Sequence, residues 1–102
     1  MVDEHSPRTP TATASVATDA AQRFAKQLAS HLGRRAEVRE EPDGTRVMFG
    51  NGSCLMQSLD TTLELAAVAD DDEALDRVTD IVGRHLERFG QRSGLTVVWL
   101  RT

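Results

Sequence analysis

A chain of 102 residues, 39% hydrophobic and 27% charged, is sized for one globular domain that buries a core without staples. Its net charge of −4 excludes the basic footprint that nucleic acid needs and argues against an anionic membrane surface. The single cysteine, Cys54, excludes an intrachain disulfide and fits a reducing, cytoplasmic compartment.

Met1 to Pro10 carries two prolines and mixed charges without periodicity. It is expected to be a disordered tail (residues 1–10) ahead of a single domain (residues 11–102), and it lacks the apolar segment of a secretory signal. Thr11 to Ala17 alternates apolar and hydroxyl residues, as a strand does. Asp19 with Gln22 reads as a capping-box variant, and Ala21, Phe24, Ala25, Leu28 and Leu32 form a helical stripe that Gly33 ends. Arg34 and Arg35 suit the negative end of that helix's dipole.

Four short strands follow: Ala36–Glu40, Thr45–Phe49, Ser53–Leu59 and Thr62–Val68. Turn residues separate them at Pro42-Asp43-Gly44, at Gly50-Asn51-Gly52 and at Asp60-Thr61, which is the spacing of a meander. Asp70 with Glu73 fits a capping box for a second helix, whose stripe runs through Leu75, Val78, Val82, Leu86 and Phe89 to a stop at Gly90. Leu95–Arg101 is apolar on both faces, which predicts a last strand that is central or partly covered on both sides. The order β-α-β-β-β-β-α-β gives a two-layer α+β domain, an antiparallel sheet with two helices on one face. With four aromatic residues in all, Phe24, Phe49, Phe89 and Trp99, the core must be mainly aliphatic.

Several segments resemble the bacterial domain-of-unknown-function family 2218. They are Lys26-Gln27-Leu28-Ala29-Ser30-His31, then Phe49-Gly50 with Gly52 and Cys54, then His85-Leu86-Glu87-Arg88-Phe89 and Leu95-Thr96-Val97-Val98-Trp99. The resemblance spans about Ala12 to Arg101. Members often carry a second histidine three residues after the one matching His31; Arg34 stands there in this chain. The resemblance implies a context rather than a mechanism: proximity or fusion to flavin-dependent siderophore-interacting proteins that release iron. The partner it implies is such a flavoprotein or a small ligand. The element order is also similar to TATA-binding-protein-like folds, though the charge argues against DNA binding.

His31 follows Phe24 by seven residues, and His85 follows Val78 by seven, so each flanks the apolar stripe of its helix. Two imidazoles converging there, with Cys54 as a softer third donor, would form a ligand or metal site. The plainer alternative is two histidines hydrogen-bonded within the packing. Cys54 is equally readable as a buried structural thiol, and Trp99 as either core or a ligand platform. Gly50-Asn51-Gly52-Ser53 lacks the lysine and following helix of a phosphate loop. Arg84, Arg88 and Arg92 recur every four residues, but Glu73 with Arg77 and Asp80 with Arg84 are ion-pair spacings on the same helix. Asp70 to Glu73 suits helix capping better than a divalent cation. No motif specifies a cofactor. The reading is therefore a non-enzymatic binding or accessory module linked to iron or siderophore metabolism, with His31, His85, Cys54 and Trp99 as ligand-binding candidates. The alternatives are a small enzyme using His31, His85 and Cys54, or a homodimeric scaffold joined through a sheet face or edge.

Overall fold

A computed structural model describes residues 9–101. The tail expected over residues 1–10 lies outside the described residues except for Thr9 and Pro10. The Pro10 carbonyl accepts a hydrogen bond from the Ala69 N–H at 3.1 Å, so sheet pairing reaches one residue ahead of the first strand.

The elements are β1 (Thr11–Ala17), α1 (Ala21–Leu32), β2 (Glu37–Glu41), β3 (Gly44–Phe49), β4 (Gly52–Ser58), β5 (Thr62–Ala69), α2 (Asp72–Phe89) and β6 (Leu100–Arg101). A 3-10 turn, Gln91–Ser93, follows α2. The six strands form one antiparallel sheet in the order β2-β3-β4-β5-β1-β6. The expected α+β architecture and meander are both present.

Period-two alternation sets the register. Val38, Val47, Cys54, Ala67 and Ala12 lie side by side across five strands, and Thr45, Met56, Leu65 and Ala14 form the next row. In these rows Val47, Cys54, Met56, Leu65, Ala67, Ala12 and Ala14 are buried, because both helices lie on this face. Helix α1 covers it with Phe24, Ala25 and Leu28, and α2 with Leu75, Val78, Val82 and Leu86. Fully burying one Leu or Phe contributes about 1.5–3 kcal/mol, so these aliphatic rows hold the layers together. The opposite face carries Arg39, Arg46, Leu55 and Thr13 in one row, and among the described residues no helix lies over it.

Local details differ from the sequence expectations for identifiable reasons. Asp19 makes no cap to α1; Thr18 instead accepts the Ala20 N–H through its hydroxyl at 3.0 Å, within a chain reversal closed by Thr18 N–H to the Thr61 carbonyl. The cap of α2 is Asp71, whose carboxylate accepts the Ala74 N–H at 2.7 Å. Asp70 is held by its own N–H on the Asn51 carbonyl, which leaves the capping position to its neighbour. Among the described glycines, positive φ occurs at Gly44 and Gly94, not in the Gly50-Asn51-Gly52 turn.

The last strand is neither long nor central. Among the described residues only Leu100 and Arg101 of this segment pair, with Thr13 and Ala12 at the edge of the sheet. The residues before them run along α2 instead. Val97 N–H donates to the Glu87 carboxylate at 3.0 Å, Arg101 pairs with Asp76, and Trp99 lies against Gly83. The two apolar faces of this segment therefore have different fates: Leu95 is buried, Val97 and Trp99 are half-buried, and Val98 and Leu100 are each 67% exposed.

Candidate functional site

The stripe of α1 ends at Leu32, and that of α2 continues to Phe89. Where the two helices meet, residues just off each stripe face one another. His31 and His85 sit at that place, with ring centres 4.9 Å apart and planes tilted by 44°. Phe89, one helical turn beyond His85, packs edge-on against both imidazoles, at 5.7 Å from His31 and 6.2 Å from His85.

His85 is half-buried and fixed. Its Nδ1 lies 2.6 Å from the Ile81 carbonyl, one turn back on the same helix. A carbonyl only accepts, so Nδ1 carries a proton, which leaves Nε2 as the nitrogen that faces a ligand. Such a bond orients an imidazole for service through its other nitrogen. His31 is exposed and faces the same space.

Beside the pair lies a cavity of about 560 Å³. Its apolar wall comes from Leu32, Ala36, Met48, Phe49 and Ile81, and its polar groups are the two imidazoles with Arg34 and Arg35. The end of α1, the start of the meander and the middle of α2 thus converge on one space. Its volume lies within the usual range for small-molecule sites.

The four candidate side chains do not gather into one site. Cys54 is fully buried in the central row of the sheet and does not line the cavity. Burial pushes its thiol up to about 12, so it is protonated and unreactive near neutrality. Trp99 sits on the opposite flank of α2, where the absence of a side chain at Gly83 lets the indole approach; a Cβ there would stand 3.1 Å from its Nε1. A groove of about 640 Å³ on that flank is lined by Trp99, Asp76, Asp80, Arg84 and Glu87 among others. Its charged groups satisfy one another: Asp80 pairs with Arg84 at 2.8 Å, as the spacing predicts, and Asp76 with Arg101. Among the described residues no three His, Cys, Asp or Glu side chains cluster as a metal site would require.

Sequence reasoning missed Arg34, Arg35, Phe49 and Ile81 as cavity residues. The available signals were weak. Ile81 and Phe89 lie four residues either side of His85, on one helix face, and Phe49 points to the helix side of β3. None of these spacings reveals that β3 ends beside α1.

The fold is similar to that of PA4090 from Pseudomonas aeruginosa, solved by NMR, with a TM-score of 0.74 at 24% sequence identity; the match covers 88% of this chain and 94% of that one. No curated protein matches. No helix among the described residues is long and apolar enough to cross a membrane. The model of a bacterial family described as an uncharacterised protein conserved in bacteria, domain of unknown function 2218, matches residues 13–100, and the chain belongs to that family.

Proposed function

We propose that this protein is a non-enzymatic binding module that holds a small ligand in the cavity beside His31 and His85. The observation that carries this reading is the approach of two imidazoles from different helices to 4.9 Å at the mouth of a partly apolar cavity. His85 is oriented by the Ile81 carbonyl, and Phe89 backs both rings, so the pair presents imidazole surface to the cavity in a defined arrangement. Covalent catalysis by Cys54 with these imidazoles is closed, because the one thiol is sealed in the sheet. The link to iron and siderophore chemistry belongs to this proposal through the family resemblance, and it makes ferric chelates natural members of the ligand panel.

The test is a thermal-shift screen of the intact protein with neutral, anionic and cationic small molecules, including ferric siderophores. It is run in parallel on His31→Ala/His85→Ala. A ligand at a hundredfold excess over its Kd adds about 2.7 kcal/mol of stability, a readily measured rise in Tm. The proposal expects at least one compound to raise Tm in the wild type and not in the double variant. Equal shifts in both proteins, or no shift with any compound, would overturn it.

A further inference from the structure

We infer that the cavity beside His31 and His85 takes an organic anion with a flat apolar body, an aromatic carboxylate in the simplest case. This rests on the binding-module reading above and names its ligand class.

The first observation is the charge of the lining. The protein carries 16 acidic and 12 basic residues, yet among the described residues no carboxylate lines this cavity, while Arg34 and Arg35 both do. A local cationic pocket in an acidic protein concentrates anions and excludes cations. The second observation is that these guanidiniums lack carboxylate partners among the described residues. Arg39, Arg46, Arg77, Arg84 and Arg101 are each paired with an acid; Arg34 and Arg35 share the lack of such a partner with Arg23, Arg88 and Arg92, and differ from them in lining this cavity. An unpaired guanidinium offers five N–H donors in a planar fork that matches a carboxylate.

The third observation is the shape and chemistry of the remaining wall. Phe49, Ile81, Met48 and Leu32 give apolar surface, and the two imidazoles add ring faces and edges. A flat ring system is held well by such a wall, with aromatic contacts adding to area burial. The carboxylate would then meet Arg34 or Arg35 at the rim, and the ring would lie against Phe49 and the histidines. A bare metal ion is the competing occupant of two imidazoles. It would find only two protein donors here and two like charges beside them, which is a poor site for a cation.

The test is an amide-resolved NMR titration of the intact protein with 2-naphthoate, its neutral counterpart 2-naphthamide, inorganic phosphate and zinc ion. Naphthoate should shift the amides of Leu32, Phe49, Gly50, Ile81 and His85. Naphthamide should bind at least about tenfold more weakly, the loss expected when a charge-assisted hydrogen bond is removed. In Arg34→Gln/Arg35→Gln the naphthoate preference should disappear; both arginines are exposed, and the spectrum itself reports whether the variant is folded. Phosphate should bind more weakly than naphthoate, because it lacks the apolar body. Equal binding of naphthoate and naphthamide at these amides would overturn the anion assignment while leaving the cavity a binding site. So would zinc binding at the histidines without naphthoate binding. Silence from all four probes would overturn the anion assignment here, whereas the binding-module reading falls only if the broader thermal screen is flat as well.

Discussion

Gly90 closes α2, and its replacement by alanine pits two effects of opposite sign against each other. Its backbone angles, φ −97° and ψ 20°, are open to any L-residue. On conformational entropy alone, Gly90→Ala should stabilise the protein by about 0.4–1 kcal/mol. The packing says otherwise. A Cβ at this position would stand 2.5 Å from the Leu95 Cβ and 3.0 Å from its Cδ1. Leu95 is only 8% exposed, and its N–H is bonded to the Gly90 carbonyl at 3.1 Å, so it cannot slide aside while keeping the turn. Relieving the overlap by strain costs about 1–3 kcal/mol, and expelling the leucine side chain returns a similar amount of burial to water. The net expectation is a destabilisation of about 1–2 kcal/mol. Urea denaturation should show the midpoint falling by about 1 M, given a slope of about 1–2 kcal/mol/M for a small domain. In a Leu95→Gly background, where the obstructing side chain is gone, the same substitution should be neutral or mildly stabilising. A Gly90→Ala single variant that is more stable than wild type would refute the seating of Leu95 over the helix end.

Burial raises the Cys54 thiol from about 9.0 to about 12, so above pH 9 the unfolded chain loses this proton and the native state keeps it. The contribution is fully present below pH 9 and is lost towards pH 12 at up to about 1.4 kcal/mol per pH unit; urea melts of wild type and Cys54→Ala should differ in slope by that amount, and parallel slopes would mean an accessible thiol. Gly83→Leu should push the indole of Trp99 off α2, at a cost of about 1–3 kcal/mol, and red-shift the emission of the protein's single tryptophan; an unchanged spectrum would contradict the contact. Asp71→Ala should cost about 1 kcal/mol through the lost cap, and Asp70→Ala clearly less; equal losses in thermal melts would reverse the assignment of the capping residue.

The meander and both helices were legible because each is a local pattern. Alternation in Thr45–Phe49 and Thr62–Val68 names the buried side of a strand, and Gly33 and Gly90 mark where helical stripes end. Periodicity states which face of a helix is apolar, but not where that face lands. His31 and His85 were therefore visible as candidates, and their 4.9 Å approach was not. Arg34 and Arg35 illustrate the same gap. Their position after α1 has a sufficient local explanation in the helix dipole, which hides their place beside the cavity. The pattern of Leu95–Arg101 predicts a longer strand than the two residues that pair, because an apolar residue on each face looks the same whether it meets a sheet, a helix or water. Val97 meets the α2 flank, and Val98 meets solvent.

The place of β1 in the sheet has a kinetic consequence. Strands β2 to β5 pair with their sequence neighbours across short turns, whereas Ala17 pairs with Thr62, about 45 residues away, and β6 can join only once β1 is in place. Closing a loop of that length in place of a turn of about five residues spans roughly three doublings, an extra entropic cost of about 2 kcal/mol. The meander with its helices is thus expected to assemble first, with β1 docking after the main barrier and β6 completing the edge. Stopped-flow kinetics of Val16→Ala, a fully buried β1 position, should show faster unfolding with little change in the refolding rate. A refolding rate that falls in proportion to the lost stability would place β1 in the nucleus instead.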